Sequence, residues 1–294
     1  MTPRWAAVVV AYESGPLLAD CITALLADDS AGGPPEVVVV DNGSHDGSVE
    51  RLEALHPGVA VLRPGANLGY ARAANLGTAA TVAPIVAVVN PDAMVAHGAG
   101  AAILARFDAD PRLGAVGPRI REPDGSVYPS ARRVPSTRDA IGHAVLGSIR
   151  PDNAATRRYR QLDADPDAAR AVDWVSGAAV WLRRGALDAV GGWDEGYFMY
   201  VEDVDLCWRL GLAGWGVAYE PAATVTHVQG VSTAGHPYRM VVAHHRSTLR
   251  FAGKRWHGAR RLLLAPLVAL LAARAGIVIA VRWARPKRAA TGLP

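Results

Sequence analysis

Unbroken apolar runs alternate with helically spaced ones over the first ninety residues. Residues 5–11 (WAAVVVA) form a continuous apolar run, and 16–27 (PLLADCITALLA) repeat apolar positions at helical spacing, with Pro16 suited to a first turn. Residues 36–41 (EVVVVD) are a β-branched run, the mark of a strand covered on both faces of a parallel sheet. A polar turn, NGSHDGS, is followed by a predicted helix around 48–55, a short strand at 59–62, a helix over 70–81 and a second buried strand at 83–90. Strands regularly separated by helices predict an α/β fold, a mostly parallel, Rossmann-like sheet flanked by helices.

From Tyr128 to Asp173 the periodicity fades into a stretch rich in Arg, Asp and Pro, expected to be a long, partly helical loop. Order returns at 174–184 (WVSGAAVWLRR), which alternates like one strand, and a Gly-rich acidic segment leads to a helix starting near Glu202. Residues 262–281 are apolar apart from Arg274 and long enough for a bilayer span. A central arginine costs about 2.5 kcal/mol or more on insertion, and Pro266 interrupts the pattern. Arg260 and Arg261 before it, and Arg282, Arg285, Lys287 and Arg288 after it, select no orientation. An interfacial helix or helical hairpin is therefore expected over a span, with a helix packed on the domain as the alternative. The chain divides at about residue 240, into a body of 1–240 and a basic, apolar, membrane-associating helical tail of 241–294.

Charge sharpens that division. The net charge of +4 hides an asymmetry: no acidic residue follows Glu220, whereas twelve basic ones do, leaving 19 of the 31 basic residues in the body against all 27 acidic ones. An acidic body with a basic, apolar tail points to a membrane surface and away from nucleic acid, since the body shows no stripe of basic residues interleaved with aromatics. Cys21 and Cys207 are the two cysteines, and the opening run AAVVVAY is too short for a secretory core and lacks a cleavage site. Both features favour the reducing cytoplasm.

Candidate chemistry lies where the predicted strands end, the usual ligand edge of an α/β sheet. Asp41 ends the second strand; it can accept from a nucleobase imide N–H, and Asp-Asn-Gly is also an ordinary turn signal. Asn90-Pro91-Asp92 ends the next buried strand, where Asp92 can hold Mg²⁺ or Mn²⁺ if substrate phosphates complete the shell, or simply terminate the strand. The densest constellation is GGWDEGYFMYVEDVDLCWRL (191–210), in which Glu202, Asp203 and Asp205 gather at a helix start among Trp193, Tyr197, Phe198, Tyr200 and Trp208. Acids in a first turn suit the helix dipole, but aromatics this dense could also form a sugar-binding wall around a shielded base. His227 follows a β-branched run and could add a nitrogen ligand to the same metal.

Taken in order, VVVAYES, VVVVDNGSHDGS, NLGYARAANLG, VVNPDAMV, the 191–210 block and THVQGVS resemble glycosyltransferase family 2, of the GT-A fold, and most closely its rhamnosyltransferase branch. The likeness covers residues 6 to about 232, and HHRSTLRFAGKRW (244–256) is similar to the same branch. It implies a donor-binding half of about 1–125, with Glu13, Asp41, Asn67, Arg72, Asn90 and Asp92 on the nucleotide-sugar, and an acceptor and catalytic half of about 126–240. Asp92 would be the surviving acid of a D-x-D pattern whose first position is Asn90, His227 a second metal ligand, and Asp203 the general base. Trp193, Tyr200 and Glu202 would face the acceptor. The implied reaction is transfer with inversion from dTDP-L-rhamnose, aided by Mg²⁺ or Mn²⁺, to a polyprenyl-diphosphate-linked saccharide at the cytoplasmic face of the cell membrane, in cell-wall or surface polysaccharide assembly. A UDP-hexose donor and a non-catalytic sugar-nucleotide-binding protein remain as alternatives. A dinucleotide oxidoreductase is disfavoured because the chain after the first strand reads AYESGP, without G-x-G-x-x-G.

Overall fold

The apolar runs become the strands their pattern predicts. The computed structural model describes residues 3–134, 150, 153–228 and 237–284, with side chains of the last helix through Val278. Strand β1 (Trp5–Ala11) is buried along its whole length, followed by α1 (Leu17–Ala27), β2 (Glu36–Asp41), α2 (Ser48–Leu55), β3 (Ala60–Leu62), α3 (Tyr70–Ala79) and β4 (Ile85–Val89). Then come β5 (Ala93–Val95), α4 (Ala99–Ala109), β6 (Leu113–Arg121), β7 (Val127–Tyr128), β8 (Ala131–Arg132), α5 (Ala154–Arg160), β9 (Arg170–Ala171), β10 (Trp174–Val175), β11 (Ala179–Arg183), α6 (Arg184–Ala189), α7 (Glu202–Leu212) and β12 (Gly216–His227).

The main sheet runs β3-β2-β1-β4-β11-β6-β12-β5. Its first four strands are parallel, β11 is inserted antiparallel between β4 and β6, and β12 runs parallel to β6 and antiparallel to β5. The chain winds outward from β1 to β3, then returns to place β4 on the other side of β1. That reversal opens a crevice beyond the carboxyl ends of β1 and β4, where such sheets bind ligands. One buried cluster unites Trp5, Val9, Ile22, Leu25, Phe107 and Trp181, and each aliphatic side chain so removed from water contributes about 1.5–3 kcal/mol.

Two local expectations change. The single strand expected at 174–184 is two, β10 and β11, in different sheets, because the chain steps out at Ser176-Gly177-Ala178 and the Gly177 N–H leaves the ladder for a carboxylate. The loop expected from Tyr128 to Asp173 contains β8, α5 and β9, while residues 135–149 and 151–152 lie outside the described residues. Helix α5 starts at a side-chain cap, with Asn153 accepting from the Ala155 and Thr156 amides.

The chain forms two compact units, Met1–Phe198 with Glu202–Ser232, and Met199–Val201 with Thr233–Pro294. In the second, α8 (Pro237–Arg255) and a 3₁₀ turn (Gly258–Leu263) lead to α9 (Leu264–Ala284). Pro266 falls in the first turn of α9, where its missing N–H leaves no bond unmade, so it starts the helix and does not interrupt it. Residues Gly258–Val278 have a mean hydropathy of 1.9 and are long and apolar enough to cross a membrane. Leu262, Val268 and Ile277 are exposed. Burial first, and the Arg274 guanidinium second, push the His245 imidazole below its ordinary range, so Arg274 lies within reach of α8. Arg285, Lys287 and Arg288 lie outside the described residues.

Candidate active site

The rim of the crevice is built from turns that hold their own backbone. Asp41 ends β2 and accepts from the Ser44 amide at 2.8 Å through Oδ1. Glu13, at φ +46°, accepts from the His45 amide through Oε1, while its own N–H donates to Ser44 Oγ. The buried Asn42, legible in the sequence only as part of a turn, ties the second turn to the third through its side chain. Its Nδ2 donates to Asn67 Oδ1 at 3.0 Å, and its Oδ1 accepts from the Leu68 amide at 2.7 Å. Asn67 Oδ1 also accepts from the Gly69 amide, so that oxygen is committed to the loop. Gly69 has φ +82°, and a Cβ there would stand 2.7 Å from the Phe198 carbonyl oxygen; any other residue would push the loop off this segment. Arg72, expected beside the donor, donates to Glu195 Oε2 at 3.0 Å in an exposed ion pair.

Beyond β4, Asn90, Asp92 and His227 come together. The Asn90 amide donates to the Ala178 carbonyl, carrying β4's pairing with β11 one residue further. In the β12–β5 ladder His227 stands opposite Ala93, and the Val228 amide donates to the Asp92 carbonyl. These bonds bring His227 Nε2 to 3.0 Å from Asp92 Oδ1 and 3.4 Å from Asn90 Nδ2. Both side chains of the Asp92–His227 pair are largely buried, 8 % and 12 % exposed, and His227 Nδ1 is buried without a hydrogen-bond partner. One carboxylate oxygen and one imidazole nitrogen are a fitting but incomplete donor set for a divalent cation, which takes further oxygens from phosphate or water. Among the described residues no third His, Cys, Asp or Glu joins them.

The second centre is the carboxyl pair that opens α7. Asp203 Oδ2 accepts from the Gly177 amide at 2.9 Å and Oδ1 from the Val204 amide at 2.8 Å. A Cβ on Gly177 would sit 3.2 Å from the Asp203 Cβ, so glycine allows this approach. Glu202 is 7 % exposed, and its Oε2 is buried without a partner. Burial and then the Asp203 charge lift Glu202 to about 8. Burial raises Asp203 as well, opposed by the Gly177 and Val204 amides and the Arg132 guanidinium. Asp203 is held by the amides of two other residues, whereas Glu202 has its own amide and a buried, unpartnered Oε2, so the geometry favours the charge on Asp203 when the pair holds one proton. Two consecutive residues at φ +69° and +68°, Tyr200 and the β-branched Val201, lead into this turn, a backbone cost typical of functional sites.

Tyr70 links the two centres. Its hydroxyl donates to the Gly177 carbonyl at 2.7 Å, and its phenol is pushed well above the ordinary range by burial, then by the charges of Glu202, Asp203 and Asp92. The aromatic wall expected around the acids is partly core. Trp193 is 1 % exposed and meets the Tyr70 ring edge-on at 5.7 Å, so it has no face to offer a sugar, and the expectation of an acceptor contact there is corrected. Tyr197 is equally buried, and its hydroxyl donates to Asp205, which also pairs with Arg209. Phe198 is exposed. Tyr200 belongs to the second unit, where its ring meets that of His244 edge-on at 5.6 Å.

Comparison with known proteins adds relatives to this geometry. The pattern of Glycosyl transferase family 2 matches residues 6–165. The N-acetylglucosaminyl-diphospho-decaprenol L-rhamnosyltransferase of Mycobacterium tuberculosis (strain ATCC 25618 / H37Rv) is 44% identical over 270 residues, spanning 88% of this chain and 87% of that protein. The rhamnosyltransferase WbbL of Escherichia coli (strain K12) is 37% identical over 84 residues, 29% of this chain and 32% of its own. Among solved structures, the mannosyltransferase PcManGT from Pyrobaculum calidifontis, in complex with GDP-Man and Mn²⁺, superposes with a TM-score of 0.54 at 18% identity, over 97% of this chain and 80% of that one. At that identity the likeness establishes the fold.

Proposed function

The chain belongs to glycosyl transferase family 2, and from that premise we propose that it is an inverting rhamnosyltransferase, moving L-rhamnose from dTDP-L-rhamnose to an N-acetylglucosaminyl-diphospho-polyprenol. The observation that carries the enzymatic reading is the buried carboxyl pair at 202–203, with Asp203 anchored by two backbone amides. The 44% identity to a rhamnosyltransferase supports the choice of sugar and lipid-linked acceptor.

Asp203 takes the proton of the acceptor hydroxyl as that oxygen attacks the anomeric carbon from the face opposite the departing nucleotide. With no covalent enzyme intermediate, a single displacement inverts the anomeric centre, and a β-linked donor gives an α-linked product. Glu202, protonated at neutral pH, keeps the charge localised on Asp203 and offers a donor to the acceptor side. Asp41 and the turns braced by Asn42 and Asn67 receive the nucleotide, together with Glu13 and Asn90. Asp92 and His227 would hold the divalent cation, Mg²⁺ or Mn²⁺, which when bound supplies positive charge against the diphosphate leaving group.

The second unit gives this chemistry an address. Exposed apolar residues on and before α9, with Arg260 and Arg261 ahead of it, suit the anionic cytoplasmic surface of a bilayer, where a polyprenyl-linked acceptor is confined. The test is turnover of dTDP-L-rhamnose, UDP-glucose and GDP-mannose by the purified chain, with a short-chain N-acetylglucosaminyl-diphospho lipid and with Mg²⁺ or Mn²⁺. Preference for dTDP-L-rhamnose is expected. Preference for a UDP-hexose would remove the substrate assignment and leave the chemistry standing, whereas binding without any transfer would favour a non-catalytic protein.

A further inference from the structure

A buried cation acts on Asp203 without taking part in the transfer. Arg132 ends β8, is 8 % exposed, and stands over three aromatic rings, with its guanidinium carbon 5.2 Å from the Tyr128 centroid, 5.6 Å from Tyr159 and 5.0 Å from Trp174. Its Nε donates to the Pro129 carbonyl at 2.6 Å, and a terminal nitrogen donates to the Tyr128 hydroxyl at 2.6 Å. Among the described residues no carboxylate lies within ion-pair distance of it. A buried guanidinium with no partnered anion is costly, and ring faces offset that cost while leaving its charge unneutralised.

That charge is joined to the base by a short piece of ladder. Trp174 pairs with Arg132 and Val175 with Ala131; the Ser176 amide donates to the Ser130 carbonyl at 2.9 Å; and the next N–H, that of Gly177, donates to Asp203 Oδ2. The titratable groups facing Asp203 are Glu202 beside it, Cys207 on the same helix, Tyr70 from α3, Tyr159 from α5 and Arg132 from β8. Tyr70, Tyr159 and Cys207 are each pushed upward, by burial first, and stay neutral through the physiological range. Tyr128 faces Arg132, and Arg209 is already paired with Asp205. Arg132 is thus the unspent positive charge in this set.

We propose that Arg132 is a positioning residue for the proton transfer, its caged charge selecting Asp203 over Glu202 as the ionised member of the pair. The inference rests on the reading of Asp203 as the base. Without the guanidinium, the pair would retain its first proton to higher pH, and the remaining charge would be shared with Glu202, whose Oε2 is buried without a hydrogen-bond partner.

The experiment is the pH dependence of kcat/KM for rhamnosyl transfer in wild type, R132K and R132M, with thermal melting recorded for each. For R132M the acid limb should move upward by at least about one pH unit, the low end for a carboxylate that loses an arginine neighbour. Its deficit should be largest at low pH and shrink as pH rises. R132K keeps the charge and should keep the wild-type limb even if it melts earlier. An unshifted limb in R132M, or equal shifts in R132K and R132M, overturns the proposal. If R132M does not accumulate as folded protein, Arg132→Gln serves in its place, since it retains N–H donors without the charge. Asp203→Asn separates the two readings: near-wild-type transfer in that variant refutes the base itself. An inactive Asp203→Asn beside an unshifted R132M refutes the role of Arg132 alone.

Discussion

Replacing Glu202 with Gln removes a titratable proton at nearly constant volume, and the consequence for stability follows from the pair's geometry. Glu202 is lifted from an ordinary 4.5 to about 8, by burial and then by the charge of Asp203. Below about pH 4.5 both the folded and the unfolded chain hold this proton, and the contribution to stability is complete. As pH rises, the unfolded chain releases the proton while the folded one keeps it, so stability falls until the folded carboxyl itself ionises near 8. Each pH unit in that window is worth about 1.4 kcal/mol, giving an upper limit of about 5 kcal/mol between pH 4.5 and 8 if the whole shift is realised. Asp203, also raised, adds a slope of the same sign. In Glu202→Gln the first slope disappears, while that of Asp203, which burial raises, remains. Urea denaturation of wild type and variant at half-unit steps from pH 5 to 8.5 reads this directly. The wild type should lose stability relative to the variant as pH rises, by about 2 kcal/mol or more across the range. Parallel curves would refute the raised Glu202 and, with it, the assignment of the proton to Glu202.

Other consequences are separable. Asp203→Asn should bind donor normally while transfer falls by about 10²- to 10⁴-fold, read by single-turnover kinetics against donor-binding calorimetry. Asp92→Ala and His227→Ala should each weaken donor binding in a way that excess Mn²⁺ or Mg²⁺ partly restores, and full wild-type activity in EDTA would exclude a metal-assisted reaction. Asp28→Ala should cost about 2–4 kcal/mol in denaturant unfolding, because the buried Asp28 carboxylate accepts from the Gly98 and Gly100 amides and from Ser30 Oγ, and the amides would be left unpaired. Truncation before Arg260 should abolish sedimentation with anionic vesicles and lower transfer to a long-chain polyprenyl acceptor far more than to a short-chain analogue.

The parallel half of the sheet was legible because its strands are buried on both faces and so carry no polar interruption, as in VVVV at 37–40 and IVAVV at 85–89. The break at Gly177 was less visible: a glycine within an alternating run signals a bulge or a close approach, but not which carboxylate approaches. Trp193 misled because aromatic density reads alike for a core and a sugar wall. What decides is the Gly191-Gly192 turn, which packs on Asn75, whose side chain accepts from the Trp193 amide and donates to its carbonyl, drawing the ring beneath the surface. Asp28 left no local signal at all, since the amides it binds lie some seventy residues away.

The candidate residues divide by strand direction, and this explains why they meet. Asp41 and Asn90 stand at the ends of parallel strands, where α/β sheets always gather ligand groups, so their placement follows from chain order alone. His227 and Asp203 are brought in by the antiparallel additions. The β12–β5 ladder sets His227 beside Asp92 across 135 residues of sequence. Pairing of β11 with β4 sets Ala178 on Asn90, one residue from the glycine that anchors Asp203. Asp203 and the Asp92 loop are therefore fixed to neighbouring residues of one ladder. A shift in the register of β11 would displace both together and could not close or open one alone. Such a link suits a displacement in which proton removal and departure of the diphosphate must act on opposite sides of the same carbon, because their separation is then a property of the sheet and not of a loop.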